Sequence, residues 1–335
     1  MATVVEDFQA ETFETYARSW LTTVALNLKS STVRYYTDNL ENHILPILGS
    51  RAINSVSRRD CRELIATVRA KGLKIATVRG IARTLSAVLS QAVEDEQLAA
   101  HPGLKLGKYL RRADEPKPQI DPFTRDEAAQ IVTTAAQSFP EWHPWALTAL
   151  RTGLRLCELL ALQWADIDWH GGYIQVERAI VRGNLTTPKN HQRRRVDLSR
   201  QLRATLRLWR RRESARWLKL GLPRPSWVFA SAVGSPFDES NVRKAFARIL
   251  DKTDLHHRRV HDLRHTFASL LIQQGESLVY VKEQMGHASI QITVDIYGHL
   301  VPGGNRAAVD RLDDKPASLA QPLHMPARRT RRDAA

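Results

Sequence analysis

Cysteine is scarce in this chain: two in 335 residues, Cys61 and Cys157, neither with a CxxC neighbour. That argues against a disulfide framework or a cysteine-based zinc site. No apolar run approaches the about 18 residues that a membrane-spanning helix needs. The opening MATVVEDFQAE is acidic where a secretory signal would be basic, so the expectation is a soluble intracellular protein with no membrane partner. Internal repeats, a GxGxxG turn and a Walker-type loop are all missing, which leaves no signal for a nucleotide cofactor. Acidic residues are also in short supply: 35 Asp and Glu stand against 50 Lys and Arg, a formal charge of +15. With a pI near 10.2, that excess predicts an anionic partner, most often nucleic acid, because each cation that neutralises a phosphate releases counterions.

Apolar residues make up 43% of the chain, enough for a proper core, and the length fits one large domain or two ordinary ones. Residues 8–100 read as about four helices. In FETYARSWLTTVAL, Phe13, Tyr16, Ala17, Trp20 and Val24 recur at helical spacing. Ser and Thr open SSTVRYYTDNLENHILPILG as caps, and a Ser cap and Gly72 bracket the next segment. In the fourth, Val78, Ile81, Ala82, Leu85, Val88, Leu89 and Val93 share one face. Four prolines and two glycines then mark 101–122 as an extended, basic linker. From Phe123 a second domain mixes helices with GGYIQVERAIVRGNLTTPKNHQRRRVDLS, two strand-like runs around a turn-rich middle that predict a β-hairpin or small sheet. Helices are expected again at about 200–218, 238–251, 261–274, 277–285 and 289–297. The tail 304–335, ending PARRTRRDAA, is expected to be partly disordered.

Four places could carry chemistry. In TGLRLCELLAL, Arg155 and Glu158 are three apart on a helix, as a site pair or an ordinary surface ion pair. Lys189 sits at the turn between the strand-like runs, where a mobile amine can be delivered to a ligand or simply be solvated, with Arg193, Arg194 and Arg195 close behind. In VHDLRHTFASLL, His261 and His265 share a helix face with Arg264 between them. The four-residue spacing also occurs in zinc helices, but a fixed positive charge among the ligands argues against metal and for an anion. In QMGHASIQITVDIYGHL, Gly286 ends a helix, His287 occupies the turn, Ser289 caps the next helix, and Tyr297 lies near its end, as a reactive phenol or a core tyrosine.

Together these are the groups that metal-free phosphodiester cleavage needs. A phenol of pKa about 10 is ionised in roughly one molecule per thousand at neutral pH, a deficit of roughly 4 kcal/mol that the site must supply. Arginines fork onto phosphate oxygens, and a lysine or histidine can protonate a departing alkoxide. No acidic cluster suggests a two-metal site, so no cofactor is expected.

From about residue 123 to 303 the chain resembles tyrosine recombinases, the family of phage integrases, Xer recombinases and Cre. The resemblance rests on TGLRLCELLALQWADID, TPKNHQRRRVDL and HDLRHTFASLLIQQGESLVYVKEQMGHASIQITVDIYGHL, all in family order. It implies a mainly helical α+β catalytic domain with a small sheet over 123–303, and an all-α, SAM-like core-binding domain over 8–100. Arg155, Lys189, His261, Arg264, His287 and Tyr297 match the six catalytic positions, with Tyr297 as nucleophile. Glu158 matches a supporting helix acid, and His265 looks structural. Met285 stands where Leu is usual, a packing change. By implication the protein is a site-specific recombinase or integrase of a mobile element, cytoplasmic and nucleoid-associated, of bacterial or phage type. It would form a 3′-phosphotyrosine intermediate without metal or ATP and act as a homotetramer on two core attachment sites in double-stranded DNA, with a directionality or accessory factor as a further partner. Arg193, Arg194, Lys105, Arg111 and Arg112 are candidate DNA-backbone contacts. The alternatives are Xer-like dimer resolution, a type IB topoisomerase, and a DNA-binding regulator with idle catalytic groups.

Overall fold

A computed structural model of the protein describes residues 11–110, 120–187 and 193–301, together with 309, 310 and 312. The chain divides into two compact units, 1–119 and 120–335.

The first unit is helical. α1 (Phe13–Ala25) begins at Thr12, whose hydroxyl accepts from the Thr15 amide. α2 (Ser30–Asn39) runs through a π-helical turn at Leu40–Ile44 into the short α3 (Leu45–Leu48). Lys29, not a serine or threonine, holds the cap position of α2, and no side chain caps it. The extra residue in the π turn brings Asn39 to Thr84, with a buried 2.9 Å hydrogen bond from Nδ2 to Oγ1. α4 (Arg58–Ala70) opens with a reciprocal box between Ser57 and Asp60. α5 (Ile75–Glu94) is the central helix. Phe13, Ala17, Leu64, Val68, Val78, Ile81, Leu85 and Val88 fill one core.

The expected linker does not start at residue 101. Leu106 and Leu110 are buried in this first core, and the Arg79 guanidinium donates to the Leu110 carbonyl, so 101–110 is part of the helical unit. The physical reason is that Leu98, Leu106 and Leu110 supply a second apolar strip that prolines and glycines do not cancel. Residues 111–119 lie outside the described residues, and Ile120 already packs in the second unit.

That unit starts with α6 (Arg125–Ser138), capped by a Thr124–Glu127 box, and the buried α7 (His143–Thr152), then one turn of helix, α8 (Leu156–Leu160). β1 (Ile167–Asp168), β2 (Tyr173–Val176) and β5 (Arg194–Asp197) form an antiparallel sheet in the order β1-β2-β5. Between β2 and β5 the chain makes a separate hairpin, β3 (Ala179–Val181) with β4 (Asn184–Thr186), turning at Arg182 and Gly183, both at positive φ. α9 (Arg200–Lys219), α10 (Glu239–Asp251), α11 (Val260–Gln273), α12 (Leu278–Met285) and α13 (Ile290–Tyr297) follow. α11 lies against α7, α12 and α13, and α12 also packs on β5. Trp145, Leu150, Ile174, Val196, Phe246 and Leu263 belong to the main core, while Phe267, Val281, Met285 and Tyr297 form a smaller one beneath α13. Among the described residues no helix is long and apolar enough to cross a membrane.

Candidate active site

The site assembles on the C-terminus of α12. Gly286 ends the helix in the left-handed region at φ +61°. A Cβ at this position would lie 2.7 Å from the Arg194 Cδ, so both the turn and the packing require glycine here. Three consecutive carbonyls at this helix end each hold a different arginine. Arg194 Nε donates to Gln284 O at 3.1 Å, Arg264 Nη2 to Met285 O at 2.6 Å, and Arg155 Nη2 to Gly286 O at 3.2 Å. These are the carbonyls that the helix leaves unpaired, at the negative end of its dipole, so they gather cations from β5, α11 and the start of α8.

Arg264 is fixed a second time: its Nη1 donates to Gly153 O at 2.5 Å. Gly153 has φ +59°, and a Cβ there would lie 2.4 Å from the Phe267 ring. The arginine is 3% exposed, and burial plus the Arg155 charge push its pKa down to about 9, leaving it charged at neutral pH.

One acid, Glu158, offsets part of the charge of these three arginines. Glu158 accepts from Arg155 Nη1 at 3.0 Å and from the Arg155 amide at 2.8 Å. It also accepts both Arg194 prongs, at 2.9 and 2.7 Å. Burial pushes its pKa up, but the Arg194 hydrogen bonds and the charges of Arg194 and Arg155 outweigh this and hold it at about 2. Three guanidinium groups against one carboxylate leave two uncompensated positive charges, an arrangement suited to a phosphate.

His287 follows directly after Gly286. Its Nδ1 lies 2.9 Å from Thr293 Oγ1, and burial followed by the Arg264 and Arg155 charges drives its pKa down to about 3, so it is neutral. Its ring is stacked parallel to that of Tyr297, with centroids 6.5 Å apart. Tyr297 is fully buried, and desolvation raises its pKa while the Arg264 charge lowers it. The Tyr297 hydroxyl sits 2.7 Å from His265 Nδ1. His261 is exposed and meets His265 edge to face, with centroids 4.9 Å apart.

The fold thus collects Arg155, Glu158, Arg264, His287 and Tyr297 at one place, with His261 one ring removed. Lys189 lies outside the described residues, as do Arg111 and Arg112. Arg194 does not stand free as a backbone contact: its guanidinium is spent on Glu158 and Gln284, because β5 runs directly over α12. Arg193, just before β5, is exposed and 3.5 Å from Glu177. Lys105 is exposed in the first unit. His265, expected from sequence to be structural, touches the phenol. Sequence reasoning also missed Thr293 and Gln284, whose Oε1 accepts from the Asp197 amide of β5 at 2.9 Å. Neither has a motif signal, since each acts across a turn or between elements.

Among known proteins, the profile of the phage integrase family matches residues 122–302, and that of the phage integrase N-terminal SAM-like domain matches 12–68. The ICEBs1 integrase of Bacillus subtilis is 27% identical over 282 residues, covering 82% of this chain and 75% of the relative. A tyrosine recombinase XerC-like protein of Caldanaerobacter subterraneus is 27% identical over 331 residues, covering 92% and 84%. In fold, the Tn1549 transposon integrase, solved in complex with a circular intermediate DNA, superposes with a TM-score of 0.73 at 20% identity, over 90% of this chain and 100% of that one.

Proposed function

The chain belongs to the phage integrase family and is a tyrosine-type site-specific recombinase, and on that premise we propose how its residues cut and rejoin the DNA of a mobile element. Tyr297 Oη attacks the scissile phosphate and forms a 3′-phosphotyrosine bond, releasing a 5′-hydroxyl. Arg155 and Arg264 bind the non-bridging oxygens, and their charge counts most in the transition state, where the phosphorane is most negative. His287 adds a hydrogen bond from the nitrogen not fixed by Thr293. Lys189 protonates the departing 5′-oxygen, and His261 assists proton transfer at the solvent side. Arg155, the more open of the two phosphate-binding arginines at 23% side-chain exposure, marks the entry for the phosphate. The covalent bond conserves the phosphodiester, so the 5′-hydroxyl of a partner strand can reverse the reaction. The observation that carries this reading is the anchoring of Arg264 and Arg155 on the successive carbonyls of Met285 and Gly286, immediately before His287.

The DNA partner is a pair of core attachment sites, bound by a homotetramer with an accessory directionality factor. Val301, Val309 and Leu312 are exposed apolar side chains past the nucleophile, and they offer the segment that would link protomers. Deleting 300–335 should then abolish tetramers and spare monomer binding.

A nicked suicide duplex carrying the junction sequence, incubated with EDTA, tests the chemistry. Wild type should leave a denaturation-resistant protein–DNA adduct and Tyr297→Phe none. An adduct with both would remove Tyr297 from the nucleophile's role. Relaxation of plasmids lacking any site would favour a topoisomerase.

A further inference from the structure

We propose that His265 is a catalytic residue, the group that takes the Tyr297 proton as the phenol attacks and returns it when the tyrosine leaves. This rests on the reading of Tyr297 as nucleophile. The two helices are placed for such an exchange: α11 carries His265 and α13 carries Tyr297, both pack in one apolar cluster, and Nδ1 lies 2.7 Å from Oη. His261, four residues earlier on α11, is exposed and lies against the ring of His265 rather than at the phenol.

The protonation state fits. The groups around His265 are His261, Asp262, Arg264 and Arg259 from its own end of the chain, and Tyr297 and His287 from the α12–α13 side. Burial first, then His261, hold the His265 pKa at about 4, with Asp262 opposing. The imidazole is therefore neutral near pH 7 and has a lone pair for the phenolic hydrogen. Full transfer before attack is far uphill, since the buried phenol holds its proton tightly. Transfer must accompany P–O bond formation, which collapses the basicity of Oη. The balance is then complete. The Tyr297 proton goes to His265 Nδ1, the Oη–P bond forms and the P–O5′ bond breaks. The 5′-oxygen takes a proton from the proposed acid, Lys189. Rejoining runs each transfer backwards.

The experiment compares wild type, His265→Asn and His265→Gly on the nicked suicide duplex, with imidazole and pH as variables. Asparagine keeps a polar group near the Nδ1 position but cannot accept a proton. Thermal melting and DNA binding check that both variants fold. Both variants should form adduct about 100-fold more slowly than wild type. Imidazole should restore His265→Gly in a saturable way. The rate of His265→Asn should rise about tenfold per pH unit on the alkaline side, where hydroxide replaces the missing base. Near-wild-type cleavage by His265→Asn would overturn the proposal and leave His265 as a positioning group. So would slow variants that respond to neither imidazole nor pH. If wild type itself forms no adduct, the recombinase chemistry fails first, which is a separate result.

Discussion

Glu158 and Arg194 form a two-pronged ion pair, at 2.9 and 2.7 Å, with the carboxylate side chain 1% exposed and the guanidinium 9% exposed. It ties β5 to α8 beneath the turn that carries Gly286 and His287. Breaking one partner of such a pair leaves a buried charge uncompensated, which costs more than the pair itself contributes.

Glu158→Gln should therefore destabilise the second unit and slow cleavage together. The folded pKa of Glu158, about 2, lies below the ordinary carboxylate value of 4.5. Its stabilisation is thus present above about pH 4.5 and lost as pH falls toward 2. The shift corresponds to about 3 kcal/mol. Unfolding measured by urea between pH 2.5 and 6 should show this acid-side loss in wild type and a flatter dependence in Glu158→Gln.

Gly286→Ala should harm the site without touching a reacting group. The turn holds this position at a positive φ that alanine disfavours, and the new Cβ collides with the Arg194 side chain. A loss of about 1–3 kcal/mol in stability is expected, with cleavage reduced by tenfold or more as the anchored arginines shift. Equal melting temperatures and rates for Gly286→Ala and wild type would contradict this.

Thr293→Val keeps the shape of the side chain and removes the oxygen that holds His287 Nδ1. Cleavage should fall about 10-fold or more, while stability falls by only about 1 kcal/mol. Suicide-duplex rates set against melting curves separate the two effects.

His287 and His265 are held neutral to about pH 3 and 4, whereas the unfolded chain titrates near 6.5. Between those values the unfolded state binds more protons, so stability should rise with pH from about 4 to 6.5 and level off above. In His287→Gln the slope over this window should be shallower. An unchanged slope would mean that other groups set the acid sensitivity.

Much of this molecule was legible in its residues because the relevant signals are local. The +15 charge pointed to an anionic partner, apolar periodicity placed α9 to α13 within a residue or two, and Ser289 and Gly286 marked helix ends through their own backbone chemistry. Arg155 and Glu158 are three residues apart, so their pairing follows from helical geometry. Long-range relations were decided only in the folded chain. Leu106 and Leu110 joined the first core despite nearby prolines, because burial of apolar surface outweighed local turn signals. Arg194 and Arg193 are adjacent and chemically alike, yet Arg194, the first residue of β5, lands on Glu158, while Arg193, just before the strand, stays exposed. His265 carries no mark in sequence that distinguishes a packed ring from a proton acceptor. Its contact with Tyr297, 32 residues away, exists because α11 and α13 share a core, and only tertiary packing could bring the two rings together.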